Sequence, residues 1–419
     1  MRLRISLFIS LVLSSTILFS GPSWCASESI LNPTESLVSL PYLGHVAIEN
    51  SPEKAGTTIY KKDKAFSGYS IYTSYEGLDV FANLIDMDGR LVHRWVRNPQ
   101  DSTLRWKQAI PFPDGSIFLT NEQRPVGWEL VDANSHSIIT YDIPRHSAHH
   151  AAYWLKEGGF LGLTSNTIRI RSQGLRFKAY DNSLVWVSSE GAILKMISLS
   201  KLFREDGGYQ EKLKEAHDYL KDYQRKSSQD KAKRPIFDFF HSNTIVRLEW
   251  DIPGVLKKGA WLVTVRNLNR IIVVDPVKEE IIWQWGENII SHPHDASFLK
   301  GGKILLFDNG VSKHFSRVIV VDIRSKQIVW QYGQKPGQEF FTAERGSVQR
   351  LPNGNTLINE SNKGRAFEVM DSGEVVWEWY ADFRTQGQNK GKRRVVGRIE
   401  RLPYNFFEGV EFNYGVIKR

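Results

Sequence analysis

Three histidines stand at what the sequence predicts to be equivalent places in successive repeats. Each lies five residues before the apolar residue that precedes a hairpin turn: His294 before Leu299, His241 before Val246 and His150 before Leu155. Counting in the same way in two other repeats gives Lys107 and Gly346. With 11 histidines in 419 residues, three in one register are an improbable coincidence. The three imidazoles are therefore predicted to converge on one site.

Three further side chains are predicted to lie beside these imidazoles. Arg266 ends the second strand of its hairpin, where the two following repeats place Asn309 and Ser361, and His149 and His292 adjoin the register histidines. Arginine presents a fixed fork of donors to an oxyanion, and imidazole can donate a hydrogen bond, transfer a proton or attack as a nucleophile. The combination predicts a site that handles anions, with a surface arginine at a strand end as the alternative for Arg266.

A three-histidine zinc site is the competing interpretation of His150, His241 and His294. A guanidinium beside a dication is electrostatically unfavourable, so Arg266 argues against that site. The register also places the rings around a shared substrate rather than around one ion. We therefore predict no metal here.

The elements that must position these side chains are repeated hairpins. The segment "VIVVDIRSKQIVWQYG" (318–333) has near copies in "IIVVDPVKEEIIWQWG" (271–286), "AFEVMDSGEVVWEWY" (366–380) and "ANLIDMDGRLVHRWV" (82–96). Each copy reads as a strand, an Asp-led turn and a strand that ends in an aromatic residue. A second hairpin precedes most copies, as in "FLKGGKILLF" (298–307). Four short strands in a period of about 40 to 50 residues indicate a β-propeller.

The chain is thus predicted to be an all-β, six-bladed β-propeller with four-stranded blades, and seven blades are the alternative. The first repeat lacks its leading hairpin and the last lacks partners, as expected if both termini complete one blade. Because the first strand of each blade lines the channel, residues in register converge on the axis. A charged segment at 200–234 predicts one or two surface helices that leave the ring, with four residues at helical spacing: Leu213, His217, Leu220 and Gln224.

Residues 1–26 have the pattern of a secretory signal peptide. Arg2 and Arg4 precede an apolar stretch of about 16 residues and the small residues of "GPSWCAS". Trp24 stands before Cys25, the single cysteine, and disfavours lipidation there. We expect a cleaved, periplasmic or secreted protein with no stable membrane span after signal removal, and a retained anchor is the alternative. Residues 27–67 then form an N-terminal extension, and 68–419 form the propeller with a C-terminal extension.

Composition and charge narrow the classes of partner. Hydrophobic residues make up 41% of the chain, and 13 Trp and 15 Tyr against 4 Met favour aromatic-rich strands. The net charge of +9 is diffuse apart from "NKGKRRVVGR" (389–398). A nucleic-acid site would need basic residues with stacking aromatics on one recognition element, and the sequence shows none. We expect no nucleic-acid partner, while the positive charge would favour anionic substrates.

Several segments carry a resemblance to a known family. They are "HHAAYWLKEGGFLGL", "FDFFHSNTIVRL", "TVRNLNRIIVVD", "HPHDASFLKGGKILLFDNG" and "GSVQRLPNGNTLINESNKGRAFEVMDSGEVVWEW". At these residues the sequence resembles the arylsulfate sulfotransferase family of secreted bacterial propellers, from residue 68 to near 380. In the first segment, Ala151 follows His149 and His150 where the family usually has aspartate.

The resemblance implies transfer of a sulfuryl group from a phenolic sulfate ester to another phenol, without a nucleotide or other cofactor. His294 matches the family's nucleophile, which forms a transient sulfohistidine. His150, His241 and Arg266 match the supporting cluster, with Asn243 as an extra donor to substrate. We expect His149 and His292 to contact substrate as well. The logic is that of phosphoryl transfer with sulfur in place of phosphorus.

Two functions of other classes stay open at this point: a non-catalytic propeller scaffold and a histidine-metal-dependent hydrolase. The expected partners are a small-molecule aryl sulfate donor and a phenolic acceptor. Larger family members carry an N-terminal β-sandwich that helps them dimerise. Only residues 27–67 stand in that place here, so the resemblance leaves the oligomeric state open.

Overall fold

The sequence repeats fold into six antiparallel sheets, each with four strands that follow one another along its main path. The computed structural model describes residues 45–47, 54–76, 79–97, 106–122, 127–172, 174–225, 235–382 and 392–412. The predicted signal segment, residues 1–26, lies outside these ranges. No helix in the described part of the chain has the length and apolar character needed to cross a membrane.

Most strands are short, as expected for propeller blades, and only β11 and β12 among those described reach 13 residues. In chain order they are β1 (His45–Ala47), β2 (Gly56–Tyr60), β3 (Gly68–Glu76), β4 (Asp79–Ile85), β5 (Leu91–Val96), β6 (Trp106–Pro111), β7 (Ile117–Asn121), β8 (Trp128–Val131), β9 (Ser137–Tyr141), β10 (Ser147–Trp154), β11 (Phe160–Ser172), β12 (Leu175–Val187), β13 (Ile193–Ser198), β14 (Ile236–Asp238), β15 (Ser242–Arg247), β16 (Trp261–Val265), β17 (Arg270–Asp275), β18 (Glu280–Trp285), β19 (His294–Leu299), β20 (Lys303–Asp308), β21 (Arg317–Asp322), β22 (Ile328–Tyr332), β23 (Ser347–Arg350), β24 (Thr356–Glu360), β25 (Arg365–Val369), β26 (Val375–Tyr380), β27 (Lys392–Arg394) and β28 (Ile399–Pro403).

The blades follow one another along the chain, and the two ends of the chain share the first. Blade I consists of β28, β3, β4 and β5, blade II of β6 to β9, blade III of β10 to β13, blade IV of β15 to β18, blade V of β19 to β22 and blade VI of β23 to β26. Strand β28 pairs with β3 in the register Leu402 to Tyr69. The predicted six-bladed propeller, closed by both termini, is confirmed, and seven blades is wrong.

Hydrophobic packing between neighbouring blades holds the ring together. Among the described residues, six buried clusters lie at the six interfaces between consecutive blades. The tryptophan of an outer strand often donates its indole N–H to a turn of the next blade, as Trp283 does to Ile323 O at 3.0 Å. Trp377 closes the ring in the same way, donating to Met87 O at 2.9 Å. The aromatic residue that ends each repeat therefore joins neighbouring blades.

The predicted insertion contains two helices, α1 (Leu199–Leu202) and α2 (Gly207–Arg225), which start directly after blade III. Ser198 caps α1 by accepting from the backbone N–H of Lys201. The helices do not leave the ring as expected, because α2 buries Tyr209 and Leu220 against the core of blades III and IV. The ring of Tyr209 lies 5.0 Å from that of Phe240. Residues 226–234 of the predicted insertion lie outside the described ranges.

In the part that the structure describes, the N-terminal extension contributes one strand to a blade and one to a separate two-stranded sheet. Strand β2 pairs with the outer strand of blade VI and makes it five-stranded. Strand β1 pairs with β27, which includes part of the basic tract predicted at 389–398.

Candidate active site

Two positions recur in the hairpins that line the channel. The inner hairpins close at equivalent pairs of residues: Phe112 and Ser116, Leu155 and Gly159, Leu248 and Ala260, Leu299 and Lys303, and Leu351 and Asn355. We call the first residue of each pair the closing residue. The residue five positions before it occupies the inner-strand position, which holds Lys107, His150, Asn243, His294 and Gly346. Directly after the second strand is the strand-end position, and in blades II, IV, V and VI it holds Glu122, Arg266, Asn309 and Ser361.

The two positions make contact within a blade. In blade II, Lys107 Nζ lies 2.7 Å from Glu122 Oε2. In blade V, His294 Nδ1 lies 2.7 Å from Asn309 Oδ1. In blade VI the backbone N–H of Gly346 donates to Ser361 Oγ at 3.0 Å. The propeller repeat therefore builds a pair of facing polar groups in each of these blades.

The predicted register of the fourth repeat is wrong by two residues. Strand β15 continues to Arg247 and the hairpin closes at Leu248, so Asn243 rather than His241 is equivalent to His294. His241 instead stands seven residues before the closing residue, the place that His292 has in blade V. Both residues have left-handed backbone, with φ of 45° and 56°. Strained backbone of this kind concentrates at functional sites.

His294 is a neutral imidazole whose orientation is fixed by its hydrogen bonds. Its Nδ1–H donates to His292 O at 3.0 Å and to Asn309 Oδ1 at 2.7 Å. The amide of Asn309 cannot flip easily, since its Nδ2 donates to Thr342 O and Arg345 O, both at 2.8 Å. The proton is thus assigned to Nδ1, which leaves the lone pair on Nε2.

The Nε2 of His294 is buried and has no hydrogen-bond partner among the described residues. Burial, and then the charge of Arg266, lowers the pKa of His294 to about 3. The ring is therefore uncharged at neutral pH. A buried neutral imidazole with a free lone pair can act as a nucleophile or as a metal ligand.

Asn243 supports the loop that carries His294. Its Nδ2 donates to Pro293 O at 3.1 Å. Its Oδ1 accepts from the hydroxyl groups of Thr244 at 3.2 Å and Thr264 at 2.5 Å. The amide N–H thus positions the backbone before His294, although Asn243 also lines the cavity as predicted.

Asp238, His241 and His150 form a chain of hydrogen bonds. The backbone N–H of His241 donates to Asp238 Oδ1 at 3.0 Å, and its Nδ1 lies 2.5 Å from Oδ2. His241 Nε2 lies 3.0 Å from His150 Nε2. Because the carboxylate holds the Nδ1 proton of His241, its Nε2 accepts and His150 donates. Burial lowers the pKa of both rings, and for His241 the charge of Asp238 opposes the shift.

A second carboxylate, which is half-buried, lies beside these rings. Glu122 Oε1 is 3.4 Å from His149 Nδ1 and 3.7 Å from His150 Nε2. Burial alone would raise the pKa of Glu122, but Lys107 and His149 outweigh it and hold that pKa well below its usual range. Burial lowers the pKa of Lys107, and the charge of Glu122 opposes that shift.

Arg266 and His292 lie near the site, but neither is among the described residues that line the cavity. Arg266 Nη1 donates to Asn267 Oδ1 at 2.7 Å. The Nδ1 of His292 and the Oγ of Ser291 are hydrogen-bonded at 3.1 Å, and the tautomer of the ring decides which of them donates. The backbone N–H of His292 donates to Asn269 Oδ1. Burial, and then the charge of Arg266, lowers the pKa of His292 well below its usual value. Arg266 therefore acts on these rings through its field.

The cavity has a volume of about 1000 Å³ and lies on the propeller axis, where the inner strands meet. His149, His150, His241 and His294 line one part of it. Small polar residues line much of the rest, together with three aromatic residues and three arginines: Tyr75, Trp106, Tyr180, Arg145, Arg345 and Arg398. Such a cavity suits an aromatic ligand with a negative charge.

The residues that sequence reasoning missed are Asp238, Glu122, Asn309 and Asp295. Glu122 and Asn309 occupy the strand-end position already recognised for Arg266, so the repeat itself carried a signal for them. Asp238 stands three residues before His241 in "FDFFHSN". Asp295 accepts from the backbone N–H of Val348 at 2.8 Å and from Arg398 Nη1 at 2.5 Å, and so joins blade V to blade VI and to the segment before β28.

Several solved structures are similar to this chain at low sequence identity. A protein of unknown function from Bacteroides caccae has a TM-score of 0.50 and 13% identity, over 80% of this chain and 98% of that one. A streptogramin B lyase has a TM-score of 0.43 and 11% identity, over 83% and 88%. Virginiamycin B lyase from Staphylococcus aureus has a TM-score of 0.41 and 9% identity, over 81% and 89%. The first likeness supports the fold alone.

A family comparison speaks to the chemistry. No curated protein matches the chain. The family model described as Arylsulfotransferase (ASST) matches residues 112–384, which is more than half of the chain and includes the histidines of the cavity. The chain therefore belongs to the arylsulfotransferase family.

Proposed function

We propose that this protein transfers a sulfuryl group from a phenolic sulfate ester to a phenol, without a nucleotide, through a sulfohistidine at His294. The observation that carries the proposal is the Nε2 of His294, an unprotonated, buried nitrogen without a hydrogen-bond partner among the described residues. The aromatic and cationic lining of the cavity supports an aryl sulfate as the donor.

In the first half-reaction, the lone pair of His294 Nε2 attacks sulfur and the bond from sulfur to the aryl oxygen breaks. The phenolate leaves with that electron pair, and a nitrogen–sulfur bond forms. The modified ring gains positive charge, which its Nδ1–H shares with His292 O and Asn309 Oδ1. The Nε2–H of His150, which otherwise donates to His241, donates to a sulfuryl oxygen, while Asp238 holds the ring of His241 in place. Arg266 adds a positive field.

In the second half-reaction, the acceptor phenol gives its proton to solvent, from which the phenolate released earlier can take one up, and its oxygen attacks the sulfur of the sulfohistidine. The nitrogen–sulfur bond breaks and His294 recovers its lone pair. Lys107, a half-buried cation of the cavity wall, would stabilise the phenolate oxygen in both half-reactions. Glu122 keeps Lys107 charged, since its Oε2 lies 2.7 Å from Nζ.

Steady-state kinetics test this proposal. Because the intermediate separates the two half-reactions, varying p-nitrophenyl sulfate at several fixed phenol concentrations should give parallel double-reciprocal lines. Digestion of protein quenched after donor alone should yield a sulfated peptide containing His294. Intersecting lines with no sulfated peptide would overturn the covalent mechanism.

The same assay separates the alternative functions. A scaffold would turn over no aryl sulfate. A metal hydrolase would release nitrophenol without phenol and would lose that activity to a chelator. We expect chelators to leave transfer unchanged and phenol to accelerate nitrophenol release when the second half-reaction is limiting.

We also propose that the protein is exported to the periplasm or secreted, on the pattern of residues 1–26. N-terminal sequencing of protein recovered outside the cytoplasm tests this. A start after residue 26 is the expected result, and recovery only with an intact N-terminus would contradict it.

A further inference from the structure

The histidines of the cavity form a second constellation that differs from the one predicted. His149, His150 and His241 each offer one ring nitrogen, and these three atoms lie within 4.8 Å of one another. All three rings line the cavity, and all three are buried. The Nε2 of His149 has no hydrogen-bond partner among the described residues. A buried nitrogen without a partner, next to two others, is the arrangement of a ligand set before it is occupied.

The spacing of the nitrogens fits a tetrahedral ion. Zinc binds imidazole nitrogen at about 2.0–2.1 Å with tetrahedral angles, which places two ligand nitrogens roughly 3.3 Å apart. The Nε2 atoms of His150 and His241 are 3.0 Å apart. A small movement of the rings, with loss of the proton they share, would bring both onto one ion.

Two carboxylates stand behind the rings. The Nδ1 of His241 lies 2.5 Å from Asp238 Oδ2, and the Nδ1 of His149 lies 3.4 Å from Glu122 Oε1. Histidines that bind metals usually donate the other ring N–H to a carboxylate, which fixes the tautomer and raises the basicity of the ligand nitrogen. The proton positions required on His149 and His241 are therefore the ones that leave Nε2 unprotonated.

The charge balance also differs from the one expected from sequence. The sequence predicts that Arg266 disfavours a metal ion, and its charge does act on His241 and Asp238, but Arg266 is not among the described residues that line the cavity. The cation in the cavity wall beside this cluster is Lys107, and Glu122 Oε2 lies 2.7 Å from it. The carboxylates of Asp238 and Glu122 therefore balance the charges of Arg266 and Lys107, which leaves no net positive charge to oppose a dication.

We propose that His149, His150 and His241 form a three-nitrogen site for a divalent transition-metal ion of the zinc class, with its fourth position open to the cavity. Three protein ligands with an open position are typical of zinc sites that bind water or substrate oxygen. The proposal goes beyond sulfuryl transfer, since nitrogens that bind the ion cannot donate to the sulfuryl group at the same time. The metal-bound and sulfuryl-binding forms are alternative states of one cavity.

Cobalt(II) is the probe that tests this site, because four-coordinate Co²⁺ absorbs visible light strongly and octahedral Co²⁺ does not. Titration of the chelator-treated full chain with Co²⁺ should give a one-to-one, tetrahedral spectrum that Zn²⁺ abolishes. His149→Ala and His241→Ala should lose the spectrum, and His294→Asn should keep it. Weak, octahedral absorption in the unmodified protein would overturn the proposal, as would an undiminished spectrum in His149→Ala.

Two variants outside the ligand set keep the test decisive if an alanine variant fails to fold. Asp238→Asn and Glu122→Gln should each lower Co²⁺ affinity by about 10- to 100-fold, because they replace the charged acceptors behind His241 and His149 with neutral amides. Unchanged affinity in both would overturn the site. Because the readout is metal binding in the absence of donor, its failure says nothing about sulfuryl transfer, and a failed transfer assay says nothing about it.

Discussion

The chemistry of this cavity depends on where single protons lie. His294 and His241 both direct Nδ1 at an acceptor, an amide oxygen in one case and a carboxylate in the other. Burial, and for His294 the charge of Arg266, lowers the pKa of both rings, so neither is charged at neutral pH. Uncharged rings with Nε2 toward the cavity can attack sulfur, donate after protonation, or bind a metal ion. We infer that the group bonded to Nδ1, an amide for His294 and a carboxylate for His241, determines which of these roles each ring takes.

His294→Asn should abolish transfer, because asparagine has no nucleophilic nitrogen. We expect an unchanged fold, since His294 is the first residue of β19 rather than part of a hydrophobic cluster. His314→Asn is the matched control: it is exposed, lies in the same blade and has φ of 57°, a conformation that asparagine accepts. The measurement is nitrophenol release together with the circular dichroism of each variant. Substantial transfer by His294→Asn would remove His294 from the nucleophile role.

The first half-reaction should be nearly independent of pH between about 5.5 and 8. The pKa of His294 is about 3 in the folded protein, so its lone pair stays available across this range. A histidine at its ordinary pKa near 6.5 would lose about tenfold in reactive form by pH 5.5. The measurement is the rate of a single turnover with donor alone, after a brief pH jump. A fall in rate with a midpoint near 6.5 would mean that Nε2 becomes protonated as in solvent.

At the scale of elements, the sequence identifies hairpins well and their register less well. The blades could be predicted because every blade repeats the same pattern of strands and turns in the sequence. The register of blade IV fails because an insertion, residues 249–259, lies between the strands of its hairpin and hides where it closes. His241 still reaches the cavity because β15 is bulged between Ser242 and Thr244. Bulges and loop lengths depend on three-dimensional pairing, which one sequence does not display.

Asn309→Ala tests whether the end of β20 positions the nucleophile. Loss of the acceptor for Nδ1–H should let His294 adopt the other tautomer and lower turnover by about 10- to 100-fold with little change in KM. Two buried carbonyls would also lose their donor, at a cost of about 1–3 kcal/mol in the free energy of unfolding. Ser361→Ala, at the same position in blade VI, is the control. Nitrogen NMR of labelled His294 should report the change of tautomer, and an unchanged spectrum with unchanged turnover would contradict the role.

At the scale of the whole molecule, the ring brings residues far apart in sequence to one axis. Strand β28 closes blade I, and Arg398, just before it, pairs with Asp295 of blade V. The cavity thus draws side chains from blades along the whole ring. In its wall or beside it are four buried histidines with lowered pKa values: His150, His241, His292 and His294. Concentrating such groups on the axis couples the stability of the propeller to pH.

The propeller should lose stability as the pH falls from 7 to about 5.5. The four buried histidines have folded pKa values below the unfolded value near 6.5, so in this range the unfolded chain binds more protons than the folded one. The free energy of unfolding then decreases with falling pH, by up to about 1.4 kcal/mol per pH unit for each histidine. Urea unfolding at a series of pH values measures this slope.

One substitution tests whether the histidines near the propeller axis cause this dependence of the free energy of unfolding on pH. His292→Asn removes one of the four groups at a backbone conformation that asparagine accepts, with φ of 56°, so it should reduce the slope by roughly a quarter. His136→Asn, in the exposed turn between β8 and β9, is the control for replacing a histidine away from the axis. If the free energy of unfolding is independent of pH in this range, the axial histidines are protonated in the folded protein. A neutral His294 nucleophile would then be untenable, since the same burial is responsible for both properties.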